Sequence, residues 1–138
     1  MVTTFTTYLE NKILDYVFGK VSYTPPASIY VGLSATEPGK AGAFTGEPSG
    51  SGYGRVELTN NTTSFPLADT GSKSVGVAIE FPEVTGSLGE LKYGFLADAS
   101  TSGNMLGYGE LSTYKSPTDG DIVYFKVGDL IIKFKQTA

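Results

Sequence analysis

The sequence predicts a mainly β protein: an antiparallel β-sandwich of about seven short strands with one N-terminal α-helix. A chain of 138 residues with 40% hydrophobic and 17% charged residues has enough apolar material for the core of one ordinary domain. Its 18 Gly and 7 Pro lie mostly between apolar runs, as the many turns of an all-β protein require. The apolar runs alternate with polar residues at the period of two that is typical of strands.

The helix is predicted over residues 7–18. Thr7 and Glu10 have the spacing of a capping box, and Gly19 tolerates the left-handed conformation that often ends a helix. Because a helix of about three turns is marginal alone in water, its apolar stripe is expected to be buried in the fold or at an assembly interface. The stripe consists of Leu9, Ile13, Tyr16 and Val17.

A stiff connector, Tyr23-Thr24-Pro25-Pro26, follows the helix. It divides the chain into a helix and connector, residues 1–24, and a β-sandwich, residues 25–138, within one domain. The strands of the sandwich are bounded by turn residues such as Asn, Asp and Gly. They are predicted at residues 27–35, 53–59, 74–81, 91–97, 105–111, 121–127 and 130–136.

The segment 36–52 is rich in Gly, Pro and Ser and lacks strand periodicity, so it is predicted to be a long surface loop. Its length is unusual for a simple connection and indicates a role in contacts. Phe44 is its large apolar residue. We therefore expect the loop to project from the sandwich and Phe44 to anchor it to a neighbouring subunit or to a particle surface.

The composition excludes several classes of function. With no His and no Cys, the chain cannot form histidine-based catalytic triads, thiol nucleophiles, disulfides or ordinary zinc sites. Ten basic residues face fourteen acidic ones, so no basic surface for nucleic acid is expected. No apolar run is long enough to cross a membrane, and no secretion signal is expected at the N-terminus.

Carboxylates are the remaining candidates for chemistry. Asp119-Gly120-Asp121 offers two of them to a cation, but the sequence around it lacks the other oxygen ligands, so a turn is the preferred interpretation. Glu57, Glu80 and Glu110 alternate with apolar residues in predicted strands and are expected to face solvent. We therefore predict no enzymatic activity, no cofactor and no required metal.

Two other features have competing interpretations. Gly52-Tyr53-Gly54-Arg55 looks like half of a phosphate-binding loop, but it precedes a strand instead of a helix, which argues against nucleotide binding. The alternative is that the glycines let the backbone enter a closely packed strand, with Arg55 pairing an acid or a carbonyl. The nine tyrosines allow stacking on sugars, although those in strands are expected to pack on the sheet.

The order of several segments resembles a known family. These are T-Y-L-E-N-K-I-L-D-Y-V-F-G-K (7–20), S-Y-T-P-P-A-S-I-Y-V-G-L-S-A-T-E-P-G (22–39), G-S-G-Y-G-R-V (50–56) and Y-G-F-L-A-D-A-S-T-S-G-N-M-L-G-Y-G-E-L (93–111). They resemble small virion proteins of tailed bacteriophages, which are often labelled tail fibre or minor structural proteins. The resemblance implies a location in the virion after assembly in the host cytoplasm, contacts with other capsid or tail proteins, and a homo-oligomer, with a trimer preferred.

The expected function is therefore that of an accessory subunit of a phage particle, of the capsid decoration, collar or tail-fibre type, acting through protein contacts. The alternative is a recognition module that binds host surface glycans through exposed tyrosines, and a third hypothesis is a glycan-cleaving enzyme. The candidate interface residues are Leu9, Ile13, Tyr16, Val17, Phe44, Tyr53 and Arg55.

Overall fold

A computed structural model describes residues 1–134, which form nine strands and one helix. The elements in chain order are β1 (Val2–Phe5), α1 (Thr7–Val17), β2 (Ser28–Ser34), β3 (Val56–Thr59), β4 (Ser72–Ser74), β5 (Ile79–Glu80), β6 (Leu91–Ala97), β7 (Met105–Lys115), β8 (Tyr124–Phe125) and β9 (Ile131–Lys133). The predicted last strand, 130–136, extends beyond the described residues; its described part contains β9.

Seven strands form one curled, mixed sheet in the order β3-β2-β6-β7-β1-β9-β4. Neighbours are antiparallel except β1 and β9, which run parallel with Val2 opposite Ile131. β5 and β8 form a separate two-stranded pair. The fold class is therefore mainly β with one helix, as predicted, but the prediction of an antiparallel sandwich is wrong. Most of the strands join a single half-barrel, and the second layer is too small to be the other half of a sandwich.

The N-terminal strand β1 accounts for much of this difference. It inserts between β7 and β9, so the predicted segment 1–24 contributes a strand to the central sheet. Its burial alternates, with Thr3 and Phe5 directed inward. The Thr3 hydroxyl donates a hydrogen bond to the carbonyl oxygen of Ile131 at 3.3 Å, which satisfies it inside the protein. Because one inward residue is polar, the sequence of this strand lacks the apolar alternation that marks the others.

The two faces of the sheet hold separate apolar clusters. Consecutive residues of β6 point to opposite faces, so Leu96 belongs to the large core inside the curl while Phe95 belongs to a small outer cluster. The outer cluster also contains Ala97, Met105 and Tyr108, and Phe44 packs against it. The long loop therefore covers the outer face of the sheet.

Several predicted boundaries differ from the observed ones. The predicted strand 91–97 is β6 itself. The predicted strand 74–81 overlaps two short strands, β4 and β5, and the predicted strand 121–127 contains only the two-residue β8. The helix begins at Thr7, but its N-cap is Thr6 and not the predicted Thr7. Short strands separated by turns are the elements whose limits depend most on tertiary pairing.

Candidate functional site

The helix is fixed to the sheet at its N-terminal end. The hydroxyl of Thr6 accepts a hydrogen bond from the backbone N–H of Leu9 and donates to the carbonyl oxygen of Met105 at 2.6 Å. Lys40 reaches across from the long loop, and its ammonium lies 2.7 Å from the Glu10 carboxylate. These contacts involve the first turn of α1 and the N-cap residue that precedes it.

The apolar stripe of the helix is divided between the fold and the surface. Leu9 and Ile13 are half-buried, whereas Tyr16 and Val17 are exposed, and no α1 residue is fully buried against the described chain. Of the two alternatives predicted for the stripe, burial within the fold therefore does not apply to its second half. Burial at an assembly interface stays a prediction. The exposed apolar side chains form what we call the helix patch: Leu14, Tyr16, Val17, Phe18 and Val21.

The long loop folds back on the sheet. The backbone N–H of Ala35 donates to the carbonyl oxygen of Gly46 at 2.8 Å, which closes the loop at its base. The Phe44 ring packs edge-on against Phe95, with ring centroids 5.3 Å apart. The prediction that this loop projects is wrong, because Phe44 packs within its own chain.

Arg55 is the centre of an internal polar cluster. Its guanidinium lies 4.6 Å from the Phe44 ring centroid and 5.1 Å from that of Phe95. It donates to the Glu47 carboxylate and to the carbonyl oxygens of Ala99 and Ser102. The prediction that Arg55 pairs an acid or a carbonyl is confirmed. Its side chain is only 2% exposed, so it stabilises the fold and is not available as an interface residue in this conformation.

Tyr53 belongs to the same cluster. Its hydroxyl donates to the Glu47 carboxylate at 2.7 Å and accepts from the backbone N–H of Leu33 at 3.1 Å. Burial, with a further contribution from the hydrogen bond to Glu47, raises the pKa of Tyr53 well above its ordinary value. The structure thus places the candidates Phe44, Tyr53 and Arg55 together, in a cluster different from the one that holds the helix candidates.

Two exposed tyrosines line one groove, a feature that the sequence did not reveal. Tyr114 and Tyr124 are 45% and 51% exposed and flank a depression of about 380 Å³ together with Pro117 and Asp121. The hydroxyl of Tyr114 donates to the Glu110 carboxylate at 2.7 Å, and this bond raises the pKa of Tyr114. Both tyrosines were visible in the sequence, but their proximity depends on how β7 and β8 are placed.

The acidic residues fall where the sequence predicted. Glu57, Glu80 and Glu110 are exposed. The Asp121 carboxylate accepts from the backbone N–H of Thr118 at 2.8 Å, and Gly120 has a φ of 89°, which confirms the turn interpretation of Asp119-Gly120-Asp121. Within residues 1–134 the only helix, α1, is too short to span a membrane.

Comparison with known proteins identifies the family. Residues 4–133 match the family model described as podophage GP4 fiber I protein gp80. No curated protein matches the sequence significantly. The family match begins within β1 and ends with β9, so it includes the helix and nearly all of the curled sheet. The chain therefore belongs to the family of the podophage GP4 fiber I protein gp80, a family of bacteriophage fibre proteins located in the virion.

Proposed function

We propose that the protein is an accessory fibre-type subunit of a phage particle, held in place by protein contacts through the helix patch. The observation that carries this proposal is the exposure of large apolar side chains at the end of a helix. Phe18 is 75% exposed and Val17 is 62% exposed. Exposed apolar clusters of this kind mark interaction sites in soluble proteins.

The size of the helix patch is consistent with part of an interface. Its five side chains are each more than half exposed and together present roughly 500 Å² of mainly apolar surface. A stable interface of standard size buries about 800 Å² on each partner. In this proposal the patch supplies the apolar centre of the contact, and the rim lies on neighbouring polar residues such as Lys20.

The protein acts by binding and not by catalysis. The sequence lacks His and Cys, the usual nucleophiles and general bases. Among the described residues, the buried carboxylate of Glu47 is bonded to the Arg55 guanidinium, so it serves the fold and not a reaction. We also propose that the protein forms a homo-oligomer, with a trimer preferred, and that it contacts other virion proteins. Assembly would take place in the host cytoplasm. A tail-fibre-type position fits the family better than capsid decoration.

The test compares two aspartate substitutions in particles produced by a phage that carries the variant gene. Phe18→Asp places a charge in the helix patch, and Val127→Asp places one at another exposed apolar position outside it, where the side chain is 59% exposed. Quantitative mass spectrometry of purified particles measures the copies incorporated. We expect at least a tenfold loss for Phe18→Asp and no loss for Val127→Asp, with thermal unfolding of both purified variants unchanged. Equal incorporation of the two variants contradicts the proposal.

The oligomeric state requires its own measurement. Sedimentation velocity of the purified wild-type protein is expected to give a concentration-dependent trimer that Phe18→Asp dissociates, if the helix patch also joins copies of the chain. A strictly monomeric protein over micromolar concentrations would leave the virion neighbour as the sole partner of the patch. A trimer unaffected by Phe18→Asp would place the contact between copies elsewhere.

A second candidate function is glycan binding by the groove between Tyr114 and Tyr124. Two half-exposed rings beside the carboxylate of Asp121 offer stacking surfaces and a hydrogen-bond acceptor, which are the groups that sugars need. Binding of host lipopolysaccharide and capsular fractions would be measured by biolayer interferometry. If the groove binds glycans, the affinity should fall at least tenfold in Tyr124→Ala. The affinity should be unchanged in the control, Tyr16→Ala. Absence of binding in the wild type removes this candidate.

A further inference from the structure

A cavity of about 420 Å³ lies inside the curl of the sheet, next to the first turns of α1. Its walls come from the helix, from strands β1, β2, β4, β6, β7 and β9, and from the segment after β3. The apolar lining includes Phe5, Leu9, Ile29, Phe65, Leu96 and Ile132. Its lining residues come from segments that are far apart in the sequence, so the sequence of any single element could not predict the cavity.

The volume is large enough for a ligand. A dry apolar cavity of about 150 Å³ accommodates one benzene molecule, and sites for small molecules begin at about 300 Å³. The observed cavity therefore has room for an aliphatic chain of roughly ten to fourteen carbons. Its apolar walls favour such a chain over a sugar or a nucleotide.

The polar groups of the site stand at its rim. Lys73 lines the cavity, and its ammonium donates to the carbonyl oxygens of Pro66 at 2.8 Å and Phe65 at 3.3 Å. An ammonium has three donors, so these two bonds leave one hydrogen for a further acceptor. Within residues 1–134 no carboxylate lies within ion-pair distance of Lys73. Asn60 and Asn61 also line the cavity.

We propose that this cavity binds an aliphatic monocarboxylate, with its chain between the apolar walls and its carboxylate on the Lys73 ammonium. The apolar volume suits the aliphatic chain of the ligand. The half-buried Lys73 ammonium, which has no anionic partner among the described residues, suits its carboxylate. The chain carries a net charge of -4, so the attraction of an anion to this position depends on Lys73 itself. This inference does not depend on the proposed function of the helix patch.

The binding test uses decanoate below its micellar concentration, with decanol as the neutral analogue of equal chain length. Isothermal titration calorimetry of the wild-type protein is expected to show one site that binds decanoate at least tenfold more tightly than decanol. Lys73→Gln should remove this preference and leave the affinity for decanol within twofold. The matched control is Lys92→Gln, which changes an exposed lysine of β6 outside the cavity and should retain the preference.

The position of the bound chain is tested separately. Ile132→Trp adds a ring inside the cavity and should abolish binding of both ligands if the variant folds. Intermolecular NOEs from the terminal methyl of decanoate to the methyl groups of Ile29 and Leu106, both lining residues, give the same information on the wild type. Contacts to the helix patch instead would place the ligand elsewhere and overturn the inference.

Three further results would also overturn it. They are no binding of decanoate, equal affinity for decanoate and decanol, or a preference that survives Lys73→Gln. If decanoate fails to bind while hydrogen exchange shows that the lining residues become protected in assembled particles, the cavity belongs to a virion neighbour instead. That outcome would leave the proposed attachment role intact while excluding the ligand.

Discussion

The guanidinium of Arg55 forms a bidentate ion pair with the Glu47 carboxylate, with Nε 2.8 Å from Oε2 and Nη2 2.8 Å from Oε1. The Arg55 side chain is 2% exposed and that of Glu47 is 15% exposed. A paired, hydrogen-bonded charge is tolerated in such a site, whereas an unpaired one is not. The ion pair therefore holds the long loop, residues 36–52, on the outer face of the sheet.

Breaking this ion pair should destabilise the protein strongly. Glu47→Gln leaves the buried guanidinium of Arg55 without its carboxylate, which typically costs about 3–5 kcal/mol of unfolding free energy. Urea unfolding at pH 7, followed by circular dichroism, measures the loss. The double variant Glu47→Gln, Arg55→Met should recover part of it, because it removes the uncompensated charge as well.

A surface ion pair of the same protein provides the control. Glu10 and Lys40 are 2.7 Å apart, but both side chains are at least 40% exposed, so Glu10→Gln is expected to cost at most about 1 kcal/mol. If the two glutamine variants lose equal stability, the cluster around Arg55 does not have the structural importance assigned to it.

The hydroxyl of Tyr53 should make the fold sensitive to alkaline pH. Since burial raises the pKa of Tyr53 in the folded state, the unfolded chain loses the phenol proton first, near pH 10. The stabilisation is complete below that pH and declines as the pH rises further, because unfolding then releases a proton. Urea unfolding at pH 8 to 11 should show wild-type stability falling toward that of Tyr53→Phe. A stability difference between the wild type and Tyr53→Phe that stays constant from pH 8 to 11 would contradict the assignment.

The sequence predicted features that depend on one segment at a time. Residues 27–35 alternate clearly, and β2 occupies 28–34 within that range, while the apolar run 91–97 between turn residues is β6. The prediction that Arg55 pairs an acid or a carbonyl followed from its side chain alone, because a guanidinium removed from water needs acceptors, and Arg55 has them. The amphipathic stripe around Ile13 likewise predicted α1.

The remaining features depend on contacts between distant segments. β1 has a buried Thr3 whose partner, the carbonyl of Ile131, lies 128 residues away, so its inward face does not look apolar in the sequence. The parallel pairing of β1 with β9 follows from that placement and replaces the expected sandwich. For the same reason, neither the cavity beside Lys73 nor the groove between Tyr114 and Tyr124 could be predicted.

Substitutions along the helix should separate folding from assembly. Ile13 is half-buried and shares a shallow groove with Phe5 and Phe134, whereas Phe18 points mainly into solvent. Ile13→Asp is therefore expected to lower the unfolding free energy by about 1–2 kcal/mol, and Phe18→Asp to change it by less than about 0.5 kcal/mol. Thermal and urea unfolding of the purified variants measure both. A loss of stability in Phe18→Asp equal to that in Ile13→Asp would mean that the helix patch packs within the chain.

The close approach of β1 to β7 gives the sharpest test of the topology. A Cβ atom at Gly109 of β7 would overlap the carbonyl oxygen of Val2 and lie 3.2 Å from the Cα of Thr3, so Gly109→Ala forces these strands apart. Because β1 also joins β7 to β9, we expect a loss of about 3 kcal/mol or more in unfolding free energy and faster amide exchange in residues 2–5. In the control, Gly54→Ala, the nearest atom to the new methyl is Pro82 Cγ at 3.8 Å, and the reduced freedom of the unfolded chain should leave stability unchanged or slightly higher. A Gly109→Ala variant as stable as Gly54→Ala would show that β1 does not pair with β7 as described.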